Sequence, residues 1–572
     1  MVGAGTTALH RAAAMAAIAL PPLLAFNLPP SATFLNQAAA LIGWGVWLAL
    51  LAASLPRPGR PAPGLAALLG AFGLIAAAAL GAMAWAGLPG TLGASSIGML
   101  CAAALTAWIA AEIRAAGQGE TAFTAFCVAL LAAGVLSALI GVVQVFDPDS
   151  TGGTLIAATG VGDRAVGNLR QPNHLSSLLL WSMIAAVFLL RSAQLRAAVA
   201  YPLYALMLFG VVLTGSRTGL LGTLLLAAWG ALDRSLARRQ RLVLLATPVL
   251  YALLWFGMAE WARAHEQVFA GEAQIRQSDP SSSRFGIWKN TLSLIALHPW
   301  LGVGFGEFNF AWTLTPFPDR PIAFFDHTHN LELQLAVELG LPLAALVLAL
   351  LARALWEAWR AARDADAAWA PAARAALVIV LMSALHSQVE YPLWYAYFLL
   401  PAAFAFGIGL GAPPRAAAAA PRSPLALAAA LLMLAGSFAA LLDYQRVVVI
   451  FSPPPGAPSL ALRIQDGQRS WFFGHHADYA AATTADRPSD ALPAFRRATH
   501  YLLDTRLMMA WANALAEAGQ MDHARHLAQR LREFRNEQSQ EYFAVCDDAP
   551  PADPRPFQCV APALPLDYRS FR

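Results

Sequence analysis

The chain has 572 residues, of which 58% are hydrophobic and only 13% charged, with a formal net charge of +4 and a mean hydropathy of +0.53. That charge fraction is about half that of ordinary soluble domains, which excludes a water-soluble enzyme. The apolar segments are continuous rather than alternating, which excludes a membrane barrel, and nothing in the charge points to a nucleic-acid partner.

Apolar runs long enough to cross a hydrocarbon core about 30 Å thick recur along the first 443 positions. The first, "AAAMAAIALPPLLAF", has a short basic lead in His10 and Arg11 and no cleavage signature, and reads as a signal-anchor span. Hydropathy predicts about thirteen spans, centred near Ala19, Val46, Leu74, Ala104, Val135, Met183, Met207, Leu225, Tyr251, Leu346, Met382, Phe404 and Leu434. The predicted fold is all-α. It is a polytopic membrane bundle over residues 1–443, with a long outer loop at about 262–330 and a small helical domain over 444–572.

Alternate loops differ in charge. One set carries Arg57 and Arg60, Arg114, Arg191 and Arg196, Arg234 to Arg241, Arg353 to Arg363, and Arg415 and Arg422. The positive-inside rule places this set and the N-terminus in the cytoplasm. An odd number of spans then puts the region from about Tyr444 outside. Nearly all the basic residues are arginine, with Lys289 the one lysine, which fits a compositional bias toward alanine and arginine.

The outer set holds every unusual polar cluster. In "GDRAVGNLRQPNH" (Gly162 to His174), Arg170, Gln171, Asn173 and His174 precede a span, and Pro172 sets the turn. Asn173 is either a helix cap or a ligand. "TGSRTG" (Thr214 to Gly219) links two spans with almost no loop, so Arg217 sits at the membrane surface. It either snorkels at a span end or uses its planar fork on a phosphate.

In the long loop, Phe285, Trp288, Leu292 and Ile295 recur at helical spacing. This predicts an amphipathic helix on the membrane, begun by Arg284 and capped by Ser281 to Ser283. "GVGFGEF" lacks phosphate-loop spacing and reads as a flexible turn.

"DHTHNLELQLAVELGLP" places His327 and His329 before Asn330, the expected N-cap of an apolar helix. The positive helix end favours a neutral imidazole, which can take a proton, and attracts phosphate. The alternative is an interfacial pair serving loop hydrogen bonds.

In "HSQVEYPLW", His386 and Glu390 lie four apart, hence on one helical face. They are either a structural bond or a functional pair, followed by Tyr391 and the helix-ending Pro392. His327, His329 and His386 could offer three nitrogens to zinc, but no HExxH-type pair supports that.

After the linker "FSPPPGAPS", short amphipathic helices follow, and "ALAEAGQMDHARHLAQRL" resembles a tetratricopeptide hairpin. In an oxidising outer compartment Cys546 and Cys559 are candidates for a bridge.

Together, "GNLRQPNHLSSLL", "TGSRTGLL", "SSRFGIWKN", "HPWLGVGFGEF", "DHTHNLELQLAVELGLP" and "HSQVEYPLWYAYFLLP" resemble the bacterial protein O-oligosaccharyltransferases that glycosylate pilins. These share a superfamily with O-antigen ligases and polymerases. The resemblance spans roughly Gly160 to Pro401, and the helical tail tips it toward the protein-glycosylating branch. It implies an inner-membrane enzyme acting at the periplasmic face. Its donor is an oligosaccharide on undecaprenyl pyrophosphate, its acceptor a protein such as a pilin, and it needs neither cofactor nor metal. His329 matches the family's essential histidine, and Arg217 and Arg284 match arginines that grip pyrophosphate; His327 and Arg170 transfer less directly. The alternatives are an O-antigen ligase acting on lipid A-core, a polymerase, or a flippase or transporter. A transporter would carry midplane charges and a repeated half, and neither is evident.

Overall fold

A computed structural model describes residues 4–159, 164–269, 271–272, 284–318, 320–322, 324–414, 422–547 and 555–572. Ser281 to Ser283, Gly162 and Arg415 lie outside the described residues. Among the described residues the regular elements are all helical, the arrangement that satisfies backbone groups within each segment in lipid.

In chain order the first helices are α1 (Ala8–Leu23), α2 (Phe34–Ala52), α3 (Pro63–Trp85), α4 (Gly90–Ala115) and α5 (Gly119–Phe146). Next come α6 (Pro172–Arg191), α7 (Ala197–Leu213), α8 (Arg217–Leu232) and α9 (Arg238–Ala264). Three shorter helices follow, α10 (Arg284–Leu297), α11 (Phe308–Leu314) and α12 (Leu331–Leu339). Then come α13 (Leu341–Asp364), α14 (Ala370–His386), α15 (Ala396–Leu410) and α16 (Pro424–Phe451). The tail adds α17 (Leu460–Gly467), α18 (Gly474–Thr484), α19 (Leu492–Ala498), α20 (Thr505–Glu517), α21 (Met521–Glu533) and α22 (Gln540–Asp547).

Among the described residues, eight of these are long and apolar enough to cross a membrane: α2 to α6, α9, α13 and α16. Five more, α1, α7, α8, α14 and α15, are apolar but shorter. Each expected span centre falls in one of these helices, while the membrane assignment by length rests on the eight.

The chain forms two units. The first comprises Met1–Gly70, Cys101–Ser278 and Leu350–Ala439, the second Ala71–Leu100, Asp279–Ala349 and Ala440–Arg572. Four of the five dividing points fall inside α3, α4, α13 and α16, so the units interleave along the chain.

Helix α6 is the axis of the first unit. It is 89% buried over its apolar window, against 17% for α16, and it packs on α5, α7, α8 and α14. Small residues permit this closeness. A Cβ at Gly134 of α5 would stand 2.2 Å from the Ser182 Oγ, and that hydroxyl donates to the Leu130 carbonyl across the interface at 2.6 Å.

In the second unit the segment from α10 to α12 and the tail share one core. Ile287, Leu294, Phe308, Trp312 and Val337 pack with Phe495, Leu507, Trp511 and Leu527. This divides the apolar stripe expected of α10. Ile295 joins the core, whereas Phe285 and Leu292 are 76% and 56% exposed, because α10 carries apolar residues on both sides.

The glycine-rich stretch is not a flexible turn. Gly302, Gly304 and Gly306 have φ of 67°, 107° and 76°, and the Val303 and Gly304 N–H groups donate to the Val337 and Glu338 carbonyls at 2.8 and 3.1 Å. The segment thereby closes the C-terminal end of α12. The single apolar helix expected after Asn330 is also divided. Gly340, at φ 75°, separates α12 from α13, and a Cβ there would meet the Trp300 carbonyl oxygen at 2.3 Å, so only glycine fits.

Cys546 and Cys559 form a disulfide 13 residues apart. Crosslinks over loops of this size stabilise by about 3 kcal/mol. Reduction, or Cys546→Ser, is therefore expected to loosen the chain beyond α21 and raise its cleavage by protease in detergent. Identical cleavage with and without reductant would contradict this.

Candidate functional site

Three of the four polar clusters meet in the first unit, through Asn173. Gln171, not Asn173, caps α6, accepting from the His174 N–H at 2.8 Å. Asn173 is thus released from capping. Its amide donates to the Glu390 Oε1 at 2.9 Å, and its carbonyl accepts from the Ser216 hydroxyl at 2.6 Å. Ser216 in turn caps α8 by accepting from the Gly219 N–H at 3.1 Å, and Ser176 donates to it at 3.1 Å. His386 ends α14 with its Nδ1 2.8 Å from the Ser177 hydroxyl. His174 is buried among aromatic rings, edge-on to Tyr395 at 4.6 Å, and Tyr391 stacks on Tyr395 at 6.3 Å.

This network fixes Arg217, the first residue of α8, whose side chain is exposed. A cation in the first turn opposes the helix dipole, by about 0.3–1 kcal/mol, so the position is favourable when an anion is present. Arg164, within a quoted cluster but not singled out from sequence, lies beside it. The Arg164 Nε donates to the Thr214 carbonyl at 2.8 Å. Burial and then the Arg217 charge push the Arg164 guanidinium down to about 10, while Glu390 and Tyr251 act the other way. Arg164 thus senses both the Arg217 charge and the Glu390 carboxylate. Arg170 is placed differently. At φ 56° it donates to the Ala32 carbonyl at 3.1 Å and also to the Ala25 carbonyl, so its fork ties the chain between α1 and α2 into the fold.

The second unit holds His327, His329, Asn330 and Arg284. Asn330 caps α12, accepting from the Leu333 N–H at 2.9 Å. His329 takes φ 56° and meets the Phe325 ring edge-on at 5.6 Å. The His327 Nδ1 is 3.0 Å from Asp326. Between the histidines, Thr328 is buried, and its carbonyl accepts from the Trp288 indole N–H at 2.9 Å. Trp288 lies one turn after Arg284, so the helix that Arg284 opens is tied to the histidine turn.

Gln334 and Glu338 extend this network along α12. Burial pushes the Glu338 carboxyl up to about 7, against the pull of the Gly306 N–H and the His327 charge. Polar residues four apart in an apolar run, "LELQLAVELGLP", are the signal that could have singled this pair out from sequence. Among the described residues, no three His, Cys, Asp or Glu groups are arranged to hold a metal ion.

Three family models match the chain. One described as "Protein glycosylation ligase" covers residues 165–190, one described as "O-Antigen ligase" covers 202–348, and one described as "Virulence factor membrane-bound polymerase, C-terminal" covers 373–545. The first two take in the Asn173, Arg217 and His329 clusters. A General O-oligosaccharyltransferase of Acinetobacter baylyi (strain ATCC 33305 / BD413 / ADP1) is 25% identical over 308 residues, 52% of each chain. A ComP-specific O-oligosaccharyltransferase of the same strain is 24% identical over 255 residues, 43% of each. The chain thus spans about half the length of the curated relatives it matches. Over these segments the chain is thus similar to O-antigen ligases and to protein O-oligosaccharyltransferases.

Proposed function

We propose that this chain moves an oligosaccharide en bloc from undecaprenyl pyrophosphate to serine or threonine hydroxyls of periplasmic or pilin-like proteins. In this reading it is a multi-pass protein of a bacterial inner membrane. The N-terminus is cytoplasmic, the five shorter apolar helices also cross, and the active site and the tetratricopeptide-like region from 444 onward are periplasmic. The observation that carries the reading is Arg217, exposed in the first turn of α8 beside Arg164. The names of the two relatives support the transfer of glycan to protein.

The chemistry follows from the residues. An acceptor hydroxyl attacks the anomeric carbon as the bond from that carbon to the pyrophosphate oxygen breaks. The proton passes to the His329 imidazole, which sits just before the capped start of α12. The carrier leaves as lipid pyrophosphate and gathers negative charge. Arg217 and Arg284, each the first residue of a helix, stabilise it. Guanidinium groups thus supply the positive charge, so neither metal nor cofactor is needed. His327 positions, and Glu390 and Asn173 hold the α8 start. A second reading, an O-antigen ligase acting on lipid A-core, is favoured by the O-antigen ligase match over 202–348 and differs in acceptor alone.

The test is a transfer assay with lipid-linked donor and an acceptor protein, checking expression and folding of each variant. His329→Ala is expected to lower transfer by roughly a hundredfold or more, the usual scale of general-base catalysis. Near-native transfer would remove His329 as base. His327→Ala should lose less.

Losing one charge-assisted bond to a buried anion costs about 1.5–3 kcal/mol, or roughly ten- to a hundredfold in rate. Arg217→Ala and Arg284→Ala should show losses of that size. The lysine variants should keep part of the activity, since charge stays and the planar fork goes. Normal donor turnover in both alanine variants would mean that neither arginine grips pyrophosphate.

A further inference from the structure

His329 holds a backbone conformation that non-glycine residues leave unless their surroundings over-determine it. The surroundings do so through buried groups. The Thr328 N–H donates to the Gln334 Oε1 at 2.8 Å. The Gln334 amide donates to the Glu338 Oε1 at 2.9 Å, which also accepts from the Phe308 N–H at 3.4 Å. The Thr328 hydroxyl donates to the Asn330 carbonyl at 2.7 Å, bridging over His329, and the Thr328 carbonyl accepts from Trp288 at 2.9 Å. The residue on each side of His329 is therefore fixed.

We propose that Thr328, Gln334 and Glu338 are positioning residues that hold His329 in its left-handed turn for proton transfer. This rests on the reading of His329 as base. Thr328, Gln334 and Glu338 are 0%, 3% and 6% exposed, so they act through His329 rather than on substrate. Gln334 is the link: its oxygen accepts from the turn and its nitrogen donates to the carboxyl one helical turn on, so removing it cuts the tie between Thr328 and Glu338. The carboxyl end is anchored in turn by the Phe308 N–H, at the start of α11.

The test is steady-state transfer with the full chain in lipid nanodiscs, separating kcat from the KM for lipid-linked donor. Gln334→Ala and Thr328→Val are expected to lower kcat by roughly tenfold or more with little change in KM, because donor binding does not use them. Thr328→Ser, which keeps the hydroxyl, should return most of the kcat. Glu338→Gln should retain more than Glu338→Ala, since its amide oxygen can still accept. Thermal midpoints identify any variant that fails to fold. If Gln334→Ala is such a variant, the Thr328→Val and Thr328→Ser pair decides the matter.

Native kcat in both Gln334→Ala and Thr328→Val, or losses confined to KM, would overturn the proposal. Equal losses in Thr328→Val and Thr328→Ser would also overturn it. Near-native transfer by His329→Ala would instead remove the base itself, and the positioning proposal with it.

Discussion

A short polar connection beside hydrocarbon must satisfy its own polar groups, since little water is there to do so and an unpaired amide or hydroxyl is expensive. In the first unit that constraint falls on three connections, before α6, before α8 and after α14. Asn173 links all three, accepting from Ser216 and donating to Glu390. An asparagine suits the place because it offers a donor and an acceptor a short distance apart. The start of α8, and with it Arg217, is held by the same bonds that stabilise the connections. Position and stability therefore come from one set of contacts.

The second unit meets a different constraint, which is how to end a short helix inside a protein without leaving carbonyls unpaired. The stretch from Gly302 to Gly306 provides the amides. Its left-handed glycines bring the backbone close to Val337 and Glu338, nearer than a side chain would allow. With its far end closed in this way, α12 is a short rod whose start is capped by Asn330 and whose inner face carries Gln334 and Glu338. The turn bearing His327 and His329 rests on that rod.

Much of this was legible in the sequence. Continuous apolar runs locate the helices because their length and hydropathy are local properties, and each expected centre lies in an apolar helix. The clusters containing Asn173, Arg217 and Glu390 were singled out because polar residues between spans have few other reasons to be there. Long-range pairings were not legible. Nothing local in "NLRQPNH" says that Gln171 caps and Asn173 bridges, or that Arg170 donates to backbone carbonyls far back in the chain. Arg164 gives no local signal, because its significance depends on Arg217 and Glu390 lying near it. Glycine spacing in "GVGFGEF" was read as freedom, when close approach is what the glycines allow. The shared core of the tail and the segment from α10 to α12 joins stretches too distant in sequence for any periodicity to link them.

In the proposed reading this chain is a catalyst that needs a lipid pyrophosphate on one side of the reaction and a protein hydroxyl on the other. The most direct test places it in cells that assemble a defined lipid-linked glycan, together with a secreted acceptor protein, lipid A-core and no other transferase. Mass spectrometry of the acceptor should find the intact glycan on serine or threonine. Glycan found on lipid A-core alone, or only as longer chains on the lipid carrier, would contradict the account and identify a ligase or a polymerase. Glycan that crosses the membrane without being transferred would contradict it more deeply, by making the protein a transporter.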